Sequence, residues 1–157
     1  MDNYGKVFKK QFDDKLEFQL RSYDPDKEKY FDIVKNARTE GFKQVIINSK
    51  IMSELLFAIL NSNGYLLKIN MTDNTDQDII ENLKSIIPKL RHKPLLVIKL
   101  KEELDLITES GSIDISSIEI FINNKMYEIK SNGIIIGLEL DYFFNEIIKP
   151  VLEDYFS

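Results

Sequence analysis

Three groups of side chains have the types and spacing to do chemistry. Near the end of the chain, Asp114, Glu119 and the run Glu128-x-Lys130 offer carboxylates, which bind hard divalent cations, with an amine beside them. In the middle, Asn48-Ser49-Lys50 stands where a strand pattern gives way to a helix, a place where backbone donors and the helix dipole favour an anion such as phosphate. Capping of the helix is the simpler use of Asn48 and Ser49. Further on, Asp73-x-x-Asp76-x-Asp78 gathers acids, but the spacing is not that of an EF-hand and the required glycine is missing. Helix-entry electrostatics explains those acids more simply.

Other chemistries have no residues to carry them. Without a cysteine there is no disulfide framework, thiolate nucleophile or Cys-based zinc site. His92 is the only histidine, so a His pair is excluded, and it lies between Arg91 and Lys93 with no partner in view. No G-x-S-x-G elbow, G-x-G-x-x-G turn or G-x-x-x-x-G-K-[ST] loop occurs, so neither a serine nucleophile nor a nucleotide cradle is indicated, and no cofactor is expected.

Asp114 with Glu128-x-Lys130 resembles the acidic strand and the E-x-K strand of the PD-(D/E)xK nucleases. The resemblance implies a divalent metal between two carboxylates and a lysine that steadies the attacking water, so all three must converge. Strand register tests that requirement. Ile115 to Ile122 and Met126 to Ile129 flank Asn123-Asn124, a pair that tolerates the positive φ angles of a tight hairpin turn. Such a turn sets Ile122 opposite Lys125, Ile120 opposite Tyr127 and Glu119 opposite Glu128. Asp114 then lies about 17 Å from Glu128, five residues beyond its partner. Slipping by one residue would mix core and solvent faces. Glu119, Glu128, Lys130 and Ser117 are therefore expected on an outward face, opposite Ile118, Ile120, Tyr127 and Ile129. A metal-dependent nuclease using Glu119, Glu128 and Lys130 is the alternative functional reading.

The elements that position these groups follow from periodicity. Tyr4, Phe8, Phe12 and Leu16 are four apart, as one stripe of a helix would be, although Leu16, Phe18 and Leu20 also permit a strand. Asp24-Pro25-Asp26 predicts a helix start, carrying Tyr30, Ile33, Val34 and Ala37 and ending near Gly41. Phe42 to Asn48 predicts a buried strand. A helix with Met52, Leu55, Leu56, Ile59 and Leu60 on one face follows, ended by Asn63-Gly64. Tyr65 to Met71 predicts a strand, Thr75-x-x-Asp78 opens a helix that Pro88 stops or kinks, and Leu95 to Leu100 predicts a third strand. After the hairpin, Ile134 to Leu140 predicts a last strand, and Asp141 caps a closing helix that must accommodate Pro150.

Two strand-helix-strand units in succession favour parallel pairing. The expected fold is thus α/β, with a mixed sheet, a parallel strand-helix-strand core, an antiparallel C-terminal hairpin and flanking helices. No repeat or linker interrupts residues 1–157, which are read as one domain. That parallel core implies a crevice at the carboxyl ends of its strands, with Asn48, Ser49, Lys50 and Asp73 on the rim as a small-ligand alternative.

Composition narrows the partners. A net charge of −5, with both signs alternating and the lysines unclustered, disfavours nucleic acid, whose phosphates require a basic face. The start lacks a signal-peptide pattern and no apolar run is long enough to cross a bilayer, so a cytoplasmic location without a membrane partner is expected. What remains is a non-catalytic protein-binding or structural accessory protein, of the kind phages and mobile elements encode, whose partner is another protein or a second copy of itself. The expected interface includes the C-terminal helix, with the aromatics Tyr142 and Phe156 near its two ends, or a sheet edge.

Overall fold

The computed structural model describes residues 2–72, 77–110 and 114–157. Its chain starts with a hairpin. Asp13 takes a φ of 53°, and β1 (Asn3–Phe12) turns back through Asp13-Asp14 into β2 (Lys15–Tyr23), with Phe12 opposite Lys15. The expected helical stripe is therefore a strand stripe. A spacing of four satisfies both a period of 3.6 and a period of 2, so Tyr4, Phe8, Phe12 and Leu16 do not choose between them. Val7, buried in the main core from between Tyr4 and Phe8, decides the matter, and Leu16 lies beyond the turn on the same face as Val7.

Asp24 organises a turn by accepting the amides of Asp26, Lys27 and Glu28, and α1 (Tyr30–Thr39) begins only after it. Gly41, at a φ of 87°, releases the chain into the two-residue β3 (Lys43–Gln44), which pairs antiparallel with β1. α2 (Ser49–Asn61) follows, and Asn63, at a φ of 63°, turns it into β4 (Tyr65–Met71). α3 (Gln77–Ile86) gives way to a 3-10 turn at Ile87–Lys89, where Pro88 cannot continue an α-helix. The Thr75 start of the expected helix lies outside the described residues.

Residues 95–100 correct another expectation. They open α4 (Leu96–Ser110) instead of forming a strand, with Leu100 and Leu104 buried one turn apart. A six-residue apolar run suits either element; the Lys101-Glu102-Glu103 continuation lengthens this one as a helix.

β5 (Ile115–Ile122), β6 (Lys125–Lys130) and β7 (Ile134–Gly137) form a meander. Asn123 and Asn124 both adopt positive φ, 53° and 61°, and Glu119 stands opposite Glu128 in the register that such a turn requires. The seven-stranded sheet runs β2-β1-β7-β6-β5-β4, with β3 beside β1, and every pairing is antiparallel. The expected parallel strand-helix-strand core is therefore absent. α2 does carry the chain from β3 to β4, but β3 lies by β1 while β4 lies at the far edge, and the meander fills the space between.

The core lies on one face of this sheet, where Ile51, Met52, Leu55, Leu56 and Ile59 of α2 are buried with Ile118, Ile120 and Ile129 of the meander. The C-terminal helix, residues 140–155, packs beside α2 through Phe143, Phe144, Ile148 and Leu152. It starts one residue before Asp141, and Phe144–Ile148 form a π turn in which the Lys149 amide reaches the Phe144 carbonyl. This wide turn precedes Pro150, which has no amide to donate, and so accommodates it. A second, small cluster of Phe8, Ala37 and Phe42 lies under α1 on the opposite face.

Candidate functional site

The carboxylates of the C-terminal hairpin do not gather on one atom. Glu119 and Glu128 are cross-strand neighbours, with Lys68 of β4 next to Glu119 in the same row, while Lys130 lies in the adjoining row opposite Ser117. Asp114 is at the far end of β5, where its carbonyl accepts from the Thr72 amide (2.9 Å) and its carboxylate meets the Ser49 hydroxyl (3.4 Å). Among the described residues, no three His, Cys, Asp or Glu side chains come close enough to hold a metal ion.

The expected crevice residues are tied into the fold. Without parallel strands there is no row of strand carboxyl ends to form that crevice. Asn48 caps α2 by accepting the Ile51 amide (2.8 Å), and its Nδ2 donates to the Tyr155 hydroxyl (3.2 Å). The Ser49 hydroxyl accepts the buried Ile115 amide at 2.9 Å, fastening α2 to β5. Lys50 lines an open cleft of 820 Å³ between α2, α4 and the C-terminal helix, along with Lys101, Glu54 and Asp154. Asp73 lies outside the described residues.

The two aromatics of the closing helix part company. Phe156 packs against Phe18 at 5.8 Å and Tyr155 at 5.0 Å, with the Lys9 ammonium 4.2 Å from its ring centre. Tyr142 is 58% exposed and lies about 21 Å away along the helix axis. They do not form one patch.

Exposed apolar side chains gather instead around β4, the last strand of the sheet. Tyr65, Phe121 and Met126 form a row across β4, β5 and β6, with the first two rings stacked at 6.4 Å and Met126 59% exposed. Leu67, at a register shift in the β4–β5 pairing, is 45% exposed. The Arg91 guanidinium covers Tyr65 at 4.9 Å. Two clefts border the strand: one of 780 Å³ is lined by Tyr65, Leu66 and Leu67, another of 280 Å³ by residues 68–71, and Ile87 lines both. The wall facing β4 comes from α3 and residues 87–97, and no acidic side chain among the described residues lines either cleft. From Leu83 to Lys101 the sequence has six Lys or Arg and no Asp or Glu. The cations therefore do cluster, in this one segment, and that run is the signal that could have marked the region. At the opposite end of the sheet, Asp2, Asp24, Asp26, Glu28, Glu139 and Asp141 surround Tyr4 and Tyr23.

One buried cation stands apart. Lys6 is fully buried, with its ammonium donating to the Asn132 carbonyl and, at 3.4 Å, to that of Val45, and burial lowers its pKa to about 8. Gly133 makes room for it: a Cβ there would lie 2.7 Å from Lys6 Nζ and 2.3 Å from the Val45 carbonyl oxygen.

No known protein family, curated protein or solved structure matches this chain. No helix among the described residues is long and apolar enough to cross a membrane.

Proposed function

We propose that this chain is a non-catalytic binding protein that engages another protein through the β4 edge of its sheet. The observation that carries this reading is the pair of clefts running the length of a strand whose outer side pairs with no other among the described residues. Exposed large apolar groups concentrated at one place on a surface mark interaction sites, whereas scattered ones do not. Tyr65, Leu67 and Met126 are exposed here, with the half-buried Phe121 between Tyr65 and Met126, and Arg91, a residue type enriched at interfaces, stands over Tyr65.

Site-specific photo-crosslinking in the native cell tests the reading. A photoreactive side chain at Leu67 or Met126 gives discrete protein adducts, and the same group at Phe31, which is also exposed but on α1, does not. No adducts from Leu67 and Met126, or equal adducts from all three positions, would contradict it.

A further inference from the structure

Resting on the binding reading above, we infer that the β4 edge takes an extended protein segment of alternating apolar and acidic side chains, which adds to the sheet as a further strand. The backbone geometry comes first. β4 has seven residues, and a partner strand of equal length spans about 24 Å. The two clefts that share Ile87 follow the same seven residues from Tyr65 to Met71. An edge strand offers amides and carbonyls in a row, and a partner backbone that pairs with them gains affinity regardless of its sequence.

Sequence preference comes from what flanks that row. On the helix side, Ile80, Leu83 and Ile87 make an apolar wall, suited to every second side chain of an extended segment. Among the described residues, the charged members of the lining are Lys68, Lys84 and Arg91, all cationic. The remaining side chains of the segment meet these, so carboxylates there are favoured and ammonium groups are not. The same charges disfavour a second copy pairing β4 to β4, because that arrangement brings two cationic rims together. Register shifts at Leu66/Lys68 and Asn70/Met71 twist the edge, and the stretch between them keeps a regular ladder with β5.

The test uses the intact chain and a labelled seven-residue peptide alternating isoleucine and glutamate, with binding read by fluorescence anisotropy. Two control peptides accompany it, one with lysine in place of glutamate and one N-methylated at alternate amides. The glutamate peptide is expected to bind at least tenfold more tightly than the lysine peptide, and N-methylation to remove binding. Lys68→Glu with Arg91→Glu should invert the charge preference. If that pair does not fold, Lys84→Glu alone, on the exposed side of α3, should shift it in the same direction.

Equal binding of the two charge types, or undiminished binding of the N-methylated peptide, overturns the proposal. So does a dimer that forms with rising concentration and is not dissolved by the glutamate peptide, since the occupant is then a second copy. Absence of peptide binding with adducts at Leu67 retained overturns strand addition while the binding reading stands; absence of both overturns the two together.

Discussion

Glu119 faces Glu128 directly across the β5–β6 hairpin. Like charges opposite each other on neighbouring strands destabilise a sheet, and an opposite-charge pair contributes about 0.2–1 kcal/mol relative to a neutral one. Glu128→Lys should therefore raise the urea midpoint with an unchanged slope. Magnesium or manganese should leave the melting temperature of the unaltered chain where it is, because a ligand stabilises only what it binds. A metal-dependent rise in melting temperature that is lost in Glu128→Gln would revive the hydrolase reading.

Ser49 and Asn48 give a second prediction. Ser49→Ala leaves the buried Ile115 amide without its acceptor, at a cost of about 1–3 kcal/mol, and Asn48→Ala removes a helix cap worth about 1 kcal/mol. Both losses should be independent of added phosphate. Phosphate stabilisation of the unaltered chain that disappears in either variant would mean that these residues hold an anion.

Much of this local structure is legible from residue types. Asn123-Asn124 between alternating β-branched residues fixes a hairpin and its register because the turn and the side-chain period agree. The buried face of α2 and the extent of β4 are equally plain. The order of the strands is not, since a strand-helix-strand pattern describes three consecutive elements and says nothing of which later strand comes between them. β5, β6 and β7 do so here, and the parallel core fails with them. That β4 ends the sheet is hidden for the same reason: whether Tyr65–Met71 is central or terminal depends on that order, and only the acid-free run from Leu83 to Lys101 sets this region apart in the sequence. Phe156 is partly buried against Phe18, a contact between residues far apart in sequence that periodicity along the closing helix does not reveal.

The hairpin turn supplies a third test. Both its residues are in the left-handed region, where a β-branched side chain costs about 1–2 kcal/mol. Asn124→Val should lower the unfolding free energy by about that amount, read as a lower urea midpoint at unchanged slope, whereas Asn124→Gly should keep or raise the midpoint. Equal behaviour of the two variants would mean that the turn relaxes to another type.

Lys6 makes stability depend on alkaline pH. Burial lowers its folded pKa from 10.5 to about 8, so between these values the unfolded chain holds a proton that the folded chain has released. Stability then rises with pH across this window, and the gain is lost as pH falls through about 8. Tyr30, which lies over Lys6, and Tyr23 act oppositely, since burial raises both above 10.0 and their contribution falls as pH climbs beyond that value. Denaturant unfolding at pH 7.5, 8.5 and 9.5 should show a rising midpoint that Lys6→Met flattens, with the pH values chosen to bracket about 8 and remain below the tyrosines. A flat profile in the unaltered chain would place Lys6 in a better solvated setting.

Amide hydrogen exchange along β4 tests the docking edge most directly. With the isoleucine–glutamate peptide present, amides within residues 65–71 should exchange markedly more slowly, while those at the other edge, in β2, keep their rates. Unchanged exchange in β4 at saturating peptide, or slowing confined to β2, would contradict the account.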